Sequence, residues 1–154
     1  MKVLILLCFL VGYILPFSPD KCAAKALEYC DYQFHWSSST LTQTGFIQIC
    51  MREGGLELDC IYTSGPGIDG TLESLQYCLI KKGWKVFKKR PQCFKVGYPV
   101  AIVYNDFRPY PSYLGIATYV DANTIKYSMR HPNLCDATLP KKSDINEITY
   151  FCPL

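Results

Sequence analysis

Nine cysteines in a chain of 154 residues set the first constraint on its fold. Cys8 lies in an apolar N-terminal run, and the others, Cys22, Cys30, Cys50, Cys60, Cys78, Cys93, Cys135 and Cys152, are spread along the remainder. An even set of this kind in an exported chain reads as up to four disulfides, and spacing alone leaves on the order of a hundred pairings open. Zinc is the competing use of such residues, but no two cysteines form a CxxC pair, so no metal site is expected.

Export is read from the N-terminus. Lys2 precedes the apolar run Val3 to Leu15, which is too short to span a bilayer comfortably and is followed by Pro16, Ser18, Pro19 and Asp20. Residues 1–18 therefore read as a secretory leader, with retention as an uncleaved anchor as the alternative, and residues 19–154 as one domain. About 135 residues can bury a real core. Loss of Lys2 lowers the net charge from +3 to +2, a near balance that points to no particular partner.

Periodicity places three helices ahead of a run of strands. Lys21 to Asp31 brings Cys22, Ala23, Ala26, Leu27 and Cys30 to one face. Phe46, Ile49, Cys50 and Glu53 share helical spacing between a cap at Thr42 or Thr44 and a left-handed stop at Gly54 or Gly55. A third helix starts at Asp69 or Thr71, buries Leu72, Leu75, Cys78 and Leu79, and stops at Gly83. Strands are expected over Trp84 to Lys88, Tyr98 to Tyr104, Leu114 to Val120, Thr124 to Met129 after a turn at Asp121-Ala122-Asn123, and Glu147 to Cys152. Helices followed by a strand meander describe an α+β domain.

Several functional classes find no support. A Gly-rich phosphate loop, a second apolar span and a His-Glu-x-x-His motif are all missing, so no cofactor is implied. Lys81, Lys82, Lys85, Lys88, Lys89 and Arg90 form a basic cluster. It reads as a solvated helix end and edge strand, where lysines are stabilising and discourage aggregation, in preference to a site for an anionic glycan, headgroup or nucleic acid.

Two stretches carry a resemblance. Gln43-Thr44-Gly45-Phe46-Ile47-Gln48 resembles the Cys-Ser-Gly-Phe-Val-Gln run at the first turn of the nucleophile helix in papain-like cysteine peptidases and amidases of the NlpC type, to which CHAP domains are related. Val96 to Ile102 resembles their Pro-Gly-Asp-Leu-Val strand, and Tyr113-Leu114-Gly115-Ile116-Ala117 the strand that supplies the general base. Tyr32 to Trp36 resembles the aromatic lead-in to the nucleophile, although core aromatics explain it equally. The resemblance covers Tyr29 to Met129 and implies a papain-like fold, its helices packed on an antiparallel β-meander and held by disulfides.

It also implies a dead active site. Gln43 stands where the Cys belongs and Tyr113 where the His belongs; the third position, near Tyr127 to Met129, has no His, Asn or Asp. A thiol at a helix N-terminus is driven toward the reactive thiolate, whereas an amide has nothing to ionise. A phenol titrating near ~10 is no proton shuttle at neutral pH. His131, in a segment similar to a His-Thr-Asn-Asp tail of a related amidase family, and His35 are the two histidines, each more simply a structural or surface residue.

Three functions follow. The first is a secreted module without hydrolase activity whose degenerate cleft, around Gln43, Tyr113, Tyr32, Trp36 and His131, binds a peptide, glycan or protein. The second is a cell-wall amidase or peptidase with displaced residues such as Cys50 and His131, although Cys50 lies on the buried side of its helix. The third is a structural component of an extracellular assembly, with Tyr104, Phe107, Tyr110 and Tyr113 as interface anchors beside Pro109 and Pro111. None calls for nucleic acid, or for a membrane once the leader is gone.

Overall fold

A computed structural model describes residues 16–31, 42–61, 71–104, 112–129, 134–140 and 145–153. Three helices, α1 (Pro19–Asp31), α2 (Gln43–Glu53) and α3 (Thr71–Lys81), precede six strands. These are β1 (Trp84–Phe87), β2 (Pro99–Tyr104), β3 (Ser112–Val120), β4 (Ile125–Met129), β5 (Leu134–Thr138) and β6 (Ile145–Pro153). They form one antiparallel sheet in the order β1-β6-β2-β3-β4-β5. The domain is α+β, as the pattern of helices and strands predicts.

α1 begins two residues before the periodicity does. The Ser18 carbonyl accepts the Cys22 N–H at 3.3 Å, Pro19 takes the first helical position, where a missing N–H costs nothing, and Asp20 faces the positive helix end. The Thr42 hydroxyl caps α2 by accepting the Gly45 N–H at 3.0 Å. Its other end closes as a Schellman motif: Gly55 N–H donates to Arg52 O and Leu56 N–H to Met51 O, both at 2.9 Å, with Gly55 at φ +93°. Gly83, at φ +86°, ends α3 and turns the chain into β1.

α1 packs on α2, both pack on β3, and α3 packs on β1. The residues from Ser112 to Ala117 are buried without interruption, so β3 is covered on both faces in its first six positions. β2 to β5 run as a meander, but β6 returns to lie between β1 and β2, so the last strand is not the meander's next step. β5 is a strand that the sequence pattern does not announce. Asp136 sits there with φ 47°, and its N–H donates to the Ser128 hydroxyl at 3.0 Å where the β4–β5 register slips.

The cysteines pair as Cys30–Cys135, Cys60–Cys78 and Cys93–Cys152, with Cα separations of 5.4, 5.3 and 6.1 Å. The first ties α1 to the edge strand β5, the second ties the segment after α2 to α3, and the third ties the β1–β2 connection to β6. A fourth bridge is not made: Cys22 and Cys50, both expected as disulfide candidates, are free thiols. They lie wholly buried on the facing sides of α1 and α2, where a small apolar residue suffices, and Cys22 Sγ rests 3.8 Å from Met51 Sδ.

Phe17 and Ser18, at the end of the stretch read as the leader, pack against this domain. The Ser18 N–H donates to Gly54 O at 2.7 Å. The Phe17 ring meets Trp84 edge-on at 5.3 Å between centroids and lies 6.2 Å from Tyr98. Trp84, Tyr98, Phe94 and Tyr150 continue the cluster with centroid distances of 5.2, 6.3 and 5.0 Å, in edge-to-face geometry.

Candidate functional site

A polar contact holds the capped start of α2 against the middle of the sheet. The ladder between β3 and β4 begins at Gly115↔Met129, one residue beyond Leu114. The Leu114 N–H donates instead to Gln43 Oε1, at 3.0 Å. A buried backbone donor is thereby satisfied by a side chain from the first residue of a helix. Tyr113 precedes Leu114, pairs with Ile102 across β2–β3, and sets its ring edge-on to Tyr104 with centroids 5.3 Å apart.

Of the three positions singled out by the resemblance, Gln43 touches the β3 backbone one residue from Tyr113, and β4 brings Met129 level with Gly115, two residues from Tyr113. They do not line an open cleft among the described residues. Gln43 is 8 % and Tyr113 is 6 % exposed, and the amide oxygen is already used. Tyr32, Trp36 and His131, the other expected binding residues, lie outside the described residues, as do His35, Phe107 and Tyr110. Tyr104 is half-buried.

One turn along α2 from Gln43, Phe46 borders a narrow gap with no room for a water molecule. Tyr29, Ser128, Met129 and the Cys30–Cys135 bridge also line it. Tyr29 and Phe46 meet edge-on at 5.9 Å. Its walls hold no carboxylate, imidazole or free thiol, so they supply no acid, base or nucleophile.

The free thiols are no substitute. Burial pushes Cys22 up to about 12, and it raises Cys50 as well, with the neighbouring Cys22 adding to the effect. Cys50 stays protonated and closed to solvent, the opposite of what an attacking thiolate requires. Among the described residues no three His, Cys, Asp or Glu side chains gather to hold a metal ion. The basic cluster is partly neutralised within the chain. Lys82 pairs with Asp59 at 3.0 Å, Lys88 pairs with Glu147 and reaches the Thr149 hydroxyl at 3.1 Å, and Lys81 lies 4.8 Å over the Tyr77 ring.

The sequence reading missed Ser128. Its buried hydroxyl lies between Tyr127 and Met129, at the strand end where a polar orienting residue was sought, and it holds the β5 bulge rather than a base. Alternation along β4 puts Ser128 on the face of Lys126, opposite Ile125, Tyr127 and Met129, so no local signal marks it as buried. Comparison with protein-family models, with curated proteins and with solved structures yields no match for this chain.

Proposed function

We propose that this chain is a secreted, papain-like module of the NlpC type that has lost hydrolase activity and acts in extracellular binding or assembly. The observation that carries the reading is the contact between Gln43 and the Leu114 amide. A helix start lies against the strand that bears Tyr113, and the reading takes Gln43 and Tyr113 as an amide and a phenol in the places of a nucleophile and its base. The amide now holds the helix to the sheet, and neither group offers acyl-transfer chemistry. Three disulfides fit an oxidising compartment, and no helix among the described residues is long and apolar enough to cross a membrane.

The test has two arms. Purified protein incubated with cell-wall peptides is expected to release no amine, while titration with the same peptides and with glycan fragments is expected to give saturable binding, and a flat titration with both would count against the binding role. Hydrolysis that disappears in a Cys50→Ala variant would reverse the reading in favour of a displaced active site. Assembly is favoured by a separate observation: Tyr77, Ile80 and Tyr119 are large apolar side chains exposed by half or nearly so, and aromatics of this kind anchor interfaces. Sedimentation distinguishes the two, since an assembly component is expected to form a larger species on its own or with its partner.

A further inference from the structure

We infer that any leader processing cuts at or before the Pro16–Phe17 bond, so that Phe17 and Ser18 stay in the mature chain as structural residues of the domain. The inference rests on the leader reading above, but its argument comes from four contacts at the start of the fold. The Phe17 ring fills the space over Gly54, where an added Cβ would run into the ring, and it completes the aromatic cluster with Trp84 and Tyr98. The Ser18 N–H donates to Gly54 O at 2.7 Å. The Ser18 carbonyl accepts the Cys22 N–H, the first bond of α1. Pro19 then lies against Gly97, whose φ of +87° and missing side chain admit the Pro19 backbone.

A cut between Ser18 and Pro19 would remove the first three of these contacts. It would also leave a cationic amine on Pro19 at the positive end of α1, where charge of that sign is unfavourable. Pro19 would be the residue after the cut bond, and its ring leaves that bond a poor fit for a site defined by small residues. The reaction itself is ordinary peptide hydrolysis by a leader peptidase. Water adds across the C–N bond, leaving a carboxylate on the released leader and an amine on the domain. Cut at or before Pro16–Phe17, the new amine is on Phe17 or further upstream, at least two residues before the first helical residue Pro19.

The experiment uses the full chain with its own leader, produced in a secretory host, followed by labelling of the free N-terminus and mass spectrometry of the first peptide. A first residue at Phe17 or upstream of it is expected; a first residue at Ser18 or later overturns the inference. The compartment in which the chain is recovered reports separately on the leader reading. As an independent measure, Phe17→Ala in the full chain is expected to lower the thermal midpoint by about 5 °C or more, with Phe17→Leu losing less. An unchanged midpoint in Phe17→Ala overturns the structural role.

Discussion

Gln43 is worth most as an acceptor for a backbone donor that the sheet leaves over. Gln43→Ala removes the acceptor of the Leu114 N–H in a buried position, and the expected cost is about 1–3 kcal/mol in urea unfolding, with Gln43→Glu recovering part of it. A change below ~0.3 kcal/mol would show the contact to be dispensable. The buried thiol of Cys22 makes a second prediction, in pH. An unfolded chain gives up this proton near the ordinary value of 9.0, while the folded chain holds it to about 12. Below pH 9 both states are protonated and the thiol adds no pH dependence; between 9 and about 12 the unfolded state loses a proton that the folded state keeps, so stability falls as pH rises. Thermal midpoints measured from pH 8 to 11 should therefore fall less steeply in Cys22→Ala than in the native chain. Parallel slopes in the two proteins would refute the assignment.

At the scale of elements, caps and glycines decide where helices start and stop, and one glycine decides how α1 approaches the sheet. Gly97→Ala forces a Cβ into the Pro19 backbone and strains a φ of +87°, so it should cost about 1–3 kcal/mol or more in chemical denaturation. Gly83→Ala has a similar φ, +86°, but no atom within 4 Å of the new Cβ, and should cost only the left-handed conformation, about 1 kcal/mol. Equal losses would mean that the contact with Pro19 contributes nothing. The helices and most strands were legible in the sequence because their signals are local. Thr42, Gly55 and Gly83 punctuate the chain, and the apolar run Val100 to Ile102 marks a strand covered on both faces. Two features escaped for a matching reason. Ser18-Pro19-Asp20 carries a helix-start signature, but the leader reading ends at Ser18 and the helical periodicity starts only at Lys21. Leu134–Thr138 pairs through an irregular register with a left-handed Asp136, so its five residues show no clean alternation.

Three bridges staple the molecule where its elements lie far apart in sequence. Cys30–Cys135 spans 105 residues, Cys93–Cys152 spans 59 and Cys60–Cys78 spans 18. If they act mainly by restricting the unfolded chain, paired replacement by Ala should cost about 4–5 kcal/mol for the longest loop and about 3 kcal/mol for the shortest. An inverted order would show that local packing outweighs loop closure. Alkylation of the native, unreduced protein should label neither buried thiol, and unfolding without reductant should expose Cys22 and Cys50 to the reagent, with Cys8 labelled as well only where the leader is retained. A molecule with no thiol to label after unfolding would contain the fourth bridge that the structure lacks.

The sequence by itself determined the α+β class, the three helices with the Thr42 cap and the glycine stops of the last two, the runs of the central strands and the residue types at Gln43 and Tyr113. Each of these is set by neighbours a few positions away, through periodicity, capping and side-chain chemistry. Only the tertiary structure decided which cysteines pair, that β6 inserts between β1 and β2, that Phe17 packs against the core, and that Gln43 meets the Leu114 amide in a closed rather than an open setting. Those outcomes depend on contacts between residues as many as 105 positions apart, and no local pattern specifies which distant groups packing will bring together.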